Sequence, residues 1–204
     1  MSASGTGSTE PASGPLIVGI SGASGIIYGV RFLQLLKQLE IETHLIMTRS
    51  AQITLAAETD WKVAEVEKLA SAVYSNQDIA APCSSGSFLT RGMIVAPCSI
   101  KTLSEIAFCP GDKLLSRAAD VTLKERRRLV LLLRETPFHL GHIRSMLAAT
   151  EAGAIVYPPV PAFYPRPGSI EELIDHTVGR VLDLFDIRMH LSSRWKGMRS
   201  KPSL

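Results

Sequence analysis

The sequence predicts an α/β protein built on a doubly wound, mostly parallel sheet. Three observations carry this. Apolar runs of four to six residues alternate along the chain with segments of helical periodicity, the pattern of βαβ units. The apolar runs are continuous and do not alternate with polar residues, as in strands covered by helices on both faces. Small or hydroxyl-bearing turns follow several strands, at the carboxyl ends beyond which such folds bind ligands. The 204 residues, 46% hydrophobic and 20% charged, suit one domain or slightly more. They are too apolar for a disordered chain.

Each element has its reason. Leu16 to Ile20 is a buried strand, and Ser21-Gly22-Ala23-Ser24-Gly25 is a small-residue turn. Phe32, Leu35, Leu36 and Leu39 fall at i, i+3, i+4 and i+7, one face of a helix. His44 to Met47 is the second strand, and Thr48 or Ser50 caps a helix running to about Glu58. Residues 61–72 read as a further helix and 75–90 as a polar surface loop. Met93 to Ala96 is a strand ending at Pro97. Helices are expected over Ser99–Ala107 and Asp112–Glu125, then a strand over Leu129–Leu133. A helix over His139–Glu151, a strand over Ala154–Tyr157 and a last helix over Ile170–Phe185 complete the order.

Charge and composition exclude several function classes. The net charge is +3, but Arg188, Arg194, Lys196, Arg199 and Lys201 all follow the last acid, Asp186. Setting these five aside leaves 17 basic residues against 19 acidic, a balance of −2. The body therefore lacks the basic stripe of a nucleic-acid-binding domain. No apolar run reaches the roughly 18 residues of a membrane span. Three cysteines, Cys83, Cys98 and Cys109, form no CxxC pair and no disulfide framework. Residues 1–14 read as a flexible leader without the marks of a secretory or transit signal, so a cytoplasmic location is expected. Residues 15–187 form the expected domain and 188–204 a basic tail.

Five segments are candidates for chemistry. Gly22 to Gly25 opens the first strand–helix unit, where free N–H groups favour an anion. It is not a GxGxxG motif, and Met47-Thr48-Arg49 supplies no acid for a ribose, so a nicotinamide dinucleotide is not expected. Ser99 to Thr102 begins a helix and either holds a phosphate or polar ring or simply caps. Arg117 and Lys124 lie two turns apart with Asp120 between them, a salt-bridged face or a phosphate stripe. Arg134-Glu135-Thr136-Pro137 follows a buried strand, and Glu135 reads as an acid or base beside Arg134, or as a helix-entry ion pair. Residues 158–167 are proline-rich and present Phe163 and Tyr164, which with Arg180 make a pocket or a packed loop. Cys98 reads as packing rather than nucleophile. The histidines, with no Cys or acid cluster nearby, do not suggest a metal site.

Taken in order, these segments resemble one family. Gly22-Ala23-Ser24-Gly25, Glu58-Thr59-Asp60, Ser84-Ser85-Gly86-Ser87, Pro97-Cys98-Ser99-Ile100-Lys101-Thr102, Arg117-Ala118-Ala119-Asp120 with Leu123-Lys124-Glu125-Arg126-Arg127, Arg134-Glu135-Thr136-Pro137 and Pro161-Ala162-Phe163-Tyr164 run as in the UbiX/Pad-type flavin prenyltransferases. The resemblance covers about Leu16 to Trp195. It implies a flavodoxin-like (Rossmann-type) three-layer sandwich, a dodecamer with sites at subunit contacts, and no metal. It implies reduced FMN as prenyl acceptor, dimethylallyl phosphate (or the diphosphate) as donor, bonds to flavin N5 and C6, and delivery of prenylated FMN to a UbiD-type decarboxylase.

The same resemblance assigns residues. Gly22, Ala23, Ser24, Thr48, Ser99, Ile100, Lys101, Thr102 and Arg134 match flavin contacts. Lys124, Tyr164 and Arg180 match the prenyl-phosphate site, with Arg117 beside them. Glu135 matches the acid that assists phosphate departure, and Glu58 and Trp195 line the site. Two departures stand out. Lys113 replaces a usual Asn or Gly, and Arg128 replaces a usual proline; effects on surface or assembly, not on chemistry, are expected. A related decarboxylase branch carries Pro-Ala-Ser-Ala-Asn-Thr at the second flavin segment and a His after the second strand, neither present here. A non-catalytic flavin carrier is the other alternative.

Overall fold

The computed structural model describes residues 14–109, 111–189 and 191. The sheet has six strands, all parallel, in the order β3-β2-β1-β4-β5-β6. They are β1 (Leu16–Ile20), β2 (Thr43–Met47), β3 (Ala72–Ser75), β4 (Gly92–Cys98), β5 (Arg128–Leu133) and β6 (Ile155–Val156). This is the doubly wound order in which the chain reverses direction across the sheet between β1 and β4. β1, β2 and β4 are buried at every position and β5 at all but Arg128, which is why their sequences run apolar without alternation.

Two helical layers close the sandwich. One face of the sheet buries Leu16, Val18, Ile20, Leu45, Ile94 and Val130 beneath α1 (Ile26–Gln38), α2 (Arg49–Glu58) and α7 (Ile170–Asp183). The other buries Ile17, Ile46, Met93, Val95, Leu129 and Leu131 beneath α4 (Ile100–Phe108), α5 (Leu114–Lys124) and α6 (Leu140–Glu151). Consecutive residues of one strand thus serve two separate cores, the direct outcome of the period-2 alternation of side chains.

The structure corrects the expected element list in two places. The helix expected over 61–72 is only α3 (Val63–Glu67), and Ala72–Ser75 is an edge strand, so there are six strands where five were expected. β3 is short and alternates between half-buried and exposed residues, so it has no apolar run to reveal it. The 75–90 segment is not a plain loop; it contains a 3-10 turn at Pro82–Ser84 that tucks Cys83 inside.

Candidate active site

The crevice at the reversal point lies between the ends of β1 and β4. Ser21, 1% exposed, ties the two together: its hydroxyl donates to the Pro97 carbonyl (2.9 Å) and accepts from the Ser99 N–H (2.8 Å). Gly22 is glycine because of a protein neighbour. A Cβ there would lie 2.4 Å from the Cβ of Ser50. Thr48, at the end of β2, caps α2 by accepting from the Ala51 N–H, and its hydroxyl lies 3.1 Å from that of Ser50. Ser99 caps α4 by accepting from the Thr102 N–H. Its first-turn N–H groups on Ile100 and Lys101 have no partner among the described residues, as expected for the orphan donors of a helix start. The Lys101 side chain points away, paired with Glu105 at 3.1 Å. A cleft of about 550 Å³ lined by Met47, Arg49, Tyr74 and Asn76 opens beside Thr48.

The start of α1 corrects another expectation. Gly25, in the left-handed conformation at φ 91°, carries no side-chain cap. The anion on its N–H groups is the protein's own: Glu58, at the end of α2, accepts from Gly25 (2.9 Å) and Ile26 (3.1 Å). Desolvation pushes the Glu58 carboxyl up, but hydrogen bonds from Ser24, Ile26 and Gly25 and the Arg134 charge together hold it below the usual carboxylate range. Ser24, Glu58 and Arg134, from three separate segments, therefore form one group. Arg134 acts on Glu58, and the Glu135 carboxylate accepts from the Thr136 N–H at 3.0 Å.

A second group stands on α7 and the 158–167 loop. The Tyr164 hydroxyl lies 3.0 Å from His176 Nε2, with the rings edge to face. Arg180, one turn beyond His176, pairs with Asp183. Tyr157 joins them: burial raises its hydroxyl, the Arg180 charge opposes this, and Tyr164 and Tyr28 reinforce it. Tyr28 also lies against Gly25, so this group adjoins the start of α1. Phe163 is exposed.

Lys124 and Arg117 are elsewhere. Lys124 ends α5 just before β5, whereas Arg134 follows β5. Six strand residues separate these ends by roughly 20 Å. Around Lys124 the chain builds its own surface. A Cβ at Gly86 would meet Glu125 and the Lys124 Nζ, and Lys124 pairs with Glu125. Arg117 donates to the Ser84 carbonyl (3.3 Å) and pairs with Asp120 (2.6 Å). Arg127 donates to the Gly86 and Phe88 carbonyls, both at 2.7 Å. The predicted site residues thus fall into two half-sites within one chain. Trp195 lies outside the described residues.

The discounted residues have ordinary roles. Cys98 is fully buried and burial raises its thiol well above the usual range; burial pushes Cys83 up to about 11. His139 caps α6 by accepting from the Gly141 N–H. Among the described residues no three His, Cys, Asp or Glu side chains are grouped to hold a metal. Lys113 bonds Gln77, which lines the cleft beside Thr48, whereas Arg128 pairs with Asp186 over the Phe185 ring, away from the crevice.

The Flavoprotein family model matches residues 5–182. The flavin prenyltransferase UbiX of Escherichia coli K12 is 58% identical over 185 residues, 89% of this chain and 98% of its own. The mitochondrial flavin prenyltransferase PAD1 of Saccharomyces cerevisiae is 47% identical over 91% of this chain and 77% of its own. This chain belongs to the UbiX flavin prenyltransferase family. Among solved UbiX-type structures, AnUbiX (PadA1) in complex with FMN and dimethylallyl pyrophosphate superposes with a TM-score of 0.89 at 51% identity, covering 91% of this chain and 98% of that one. A dodecameric FMN-dependent UbiX-like decarboxylase from Escherichia coli O157:H7 gives 0.88 at 45% identity, over 90% and 100%. The crevice fits the flavin of a UbiX family member: the open Ile100 and Lys101 N–H groups and the Thr48 and Ser50 hydroxyls offer donors at the strand ends. Ser21, Arg127 and His176 were missed by sequence reasoning. His176 alone left a signal, one turn from Arg180 on the same helix face.

Proposed function

We propose that this protein is a flavin prenyltransferase that moves a dimethylallyl group from dimethylallyl phosphate to N5 and C6 of reduced FMN. The observation that carries the reading is the grouping of Ser24, Glu58 and Arg134 at the reversal point, with Tyr164, His176 and Arg180 adjoining. Thr48, Ser99, Ile100, Lys101, Thr102 and the Gly22–Ser24 turn hold the flavin, Lys101 through its backbone. Bound FMN supplies the nucleophilic positions of the reaction.

The chain's own residues do the rest. Cleavage of the allylic C–O bond leaves a delocalised cation and a phosphate. Lys124, Arg117, Arg180 and the Tyr164 hydroxyl stabilise the phosphate charge as it develops. Glu135 passes it a proton. The aromatic wall of Tyr164, with Trp195 from the tail, shields the cation from water. The ionised Glu58 carboxylate, hydrogen-bonded to Ser24, would accept the proton released at the flavin edge when the new bond forms there.

Lys124 and Arg117 cannot join Tyr164 and Arg180 within one chain, so the site is completed by a neighbouring copy. Assembly is supported by an apolar stripe on α6, where Leu140, Ile143 and Leu147 are exposed. The reading takes the dodecamer of the family. It delivers the product to a UbiD-type decarboxylase in the cytoplasm, where the three free thiols stay reduced. Among the described residues no helix is long and apolar enough to cross a membrane. The catalytic unit is residues 15–187, since the described core lies between Leu16 and Ile187.

The test is incubation with reduced FMN and dimethylallyl phosphate, following the mass and absorbance of the released flavin. A mass gain of one prenyl group is expected. Unmodified flavin with either phosphorylated donor would leave the carrier reading. Release of carbon dioxide from a supplied acid without flavin modification would favour the decarboxylase named among the solved neighbours.

A further inference from the structure

We propose that His176 is a positioning residue: it holds the Tyr164 hydroxyl so that its proton points to the leaving phosphate. The inference rests on the reading of Tyr164 as a phosphate ligand. Tyr164 stands on a loop without regular structure and is 48% exposed. Left to itself, such a side chain samples several rotamers, and fixing it costs entropy at each binding event. His176 removes that freedom. It belongs to α7, a 14-residue helix capped by Ser169 and packed into the core through Ile174, Val178, Val181 and Leu182. It is only 8% exposed. Its Nε2 lies 3.0 Å from the Tyr164 hydroxyl and its ring meets the phenol edge to face at 5.5 Å. Two contacts of different direction fix both the position and the rotation of the phenol.

The charges around the pair define the proton's direction. Burial and the Arg180 charge hold His176 below its ordinary pKa. The charged side chain next to it on α7, Asp175, is held by Arg31 at 2.6 Å, and Tyr157 faces the pair from the end of β6. The imidazole is therefore neutral and carries one N–H. With that hydrogen on Nε2 it donates to the Tyr164 oxygen, and the phenol then meets the phosphate as a donor. An incoming phosphate, an acceptor on every oxygen, selects this tautomer. One helix then delivers two phosphate donors side by side: Arg180 directly, and Tyr164 through His176.

The experiment is a double-mutant cycle read as kcat and as KM for dimethylallyl phosphate, with bound FMN measured alongside. His176→Phe keeps the ring and removes the hydrogen bond. It is expected to raise the donor KM about five- to tenfold, the scale of one neutral hydrogen bond, with FMN content unchanged. His176→Gln, whose amide can still donate to Tyr164, is expected to restore most of the loss. In a Tyr164→Phe background, His176→Phe is expected to add nothing. Should His176→Phe lose FMN, His176→Asn, whose amide stops short of Tyr164, takes its place in the cycle. An unchanged donor KM, additive effects of the two substitutions, or a Gln variant as impaired as the Phe variant would overturn the proposal. If Tyr164→Phe alone leaves the donor KM unchanged, Tyr164 is no phosphate ligand and the proposal falls with that reading. If the wild type makes no prenylated flavin, the functional reading itself has failed.

Discussion

Glu58 does at the residue scale what a bound anion was expected to do: it occupies the N–H groups that open α1. Its folded pKa is depressed below the ordinary 4.5. Its stabilising effect is thus complete above the unfolded pKa and is lost as pH falls through the folded value. Glu58→Gln should lower stability in the neutral region and converge with the wild type once pH falls below the folded pKa, so that the acid limb flattens, as seen by denaturant melts across pH. Ser21 makes a second case. Its hydroxyl is buried and doubly used, so Ser21→Ala leaves the Pro97 carbonyl and Ser99 N–H without that partner. A loss of about 1–3 kcal/mol is expected, read from the urea midpoint. Neither role was legible in the sequence. A serine ending a strand looks the same whether it faces a neighbouring strand or water, and Glu58 is 33 residues from the N–H it caps.

The β5 unit shows, at the scale of elements, which geometry sequence order does contain. In a parallel sheet every residue just before a strand lies at its amino end and every residue just after it at the carboxyl end. Lys124 before β5 and Arg134 after it were therefore always on opposite ends, whatever the family pattern implied about one shared site. The five apolar strands and the flanking helices were legible because burial on both faces demands unbroken apolar runs. β3 was not, because an edge strand whose four residues alternate between half-buried and exposed needs no such run. The 84–88 loop was read as solvent-facing surface, yet Arg127 grips two of its carbonyls and Arg117 a third. Arg127→Met should release this loop from Lys124. The donor KM should rise severalfold while bound FMN stays constant, a split that steady-state kinetics and flavin absorbance would detect.

For the whole molecule, the proposed site assignment makes assembly a condition of catalysis, because Lys124 and Arg134 stand at opposite ends of β5. The α6 stripe gives a direct handle: Leu147, 57% exposed, lies beside Ile143 and Leu140 on one helix face. A charge there costs the monomer little but sits badly in an apolar contact. Leu147→Asp should shift the mass seen by light scattering toward smaller species and remove prenylation together. The central claim, that one catalytic site takes Lys124 from one copy and Glu135 from another, has a sharper test. Lys124→Ala and Glu135→Gln chains are each made, each found inactive in prenylation, then unfolded together and reassembled. Random mixing in a symmetric assembly restores about a quarter of the sites with both residues intact. Recovery of prenylated flavin to roughly that fraction of the wild-type rate is the predicted result. A mixture that stays as inactive as its separate components, although mixed oligomers form, would contradict it.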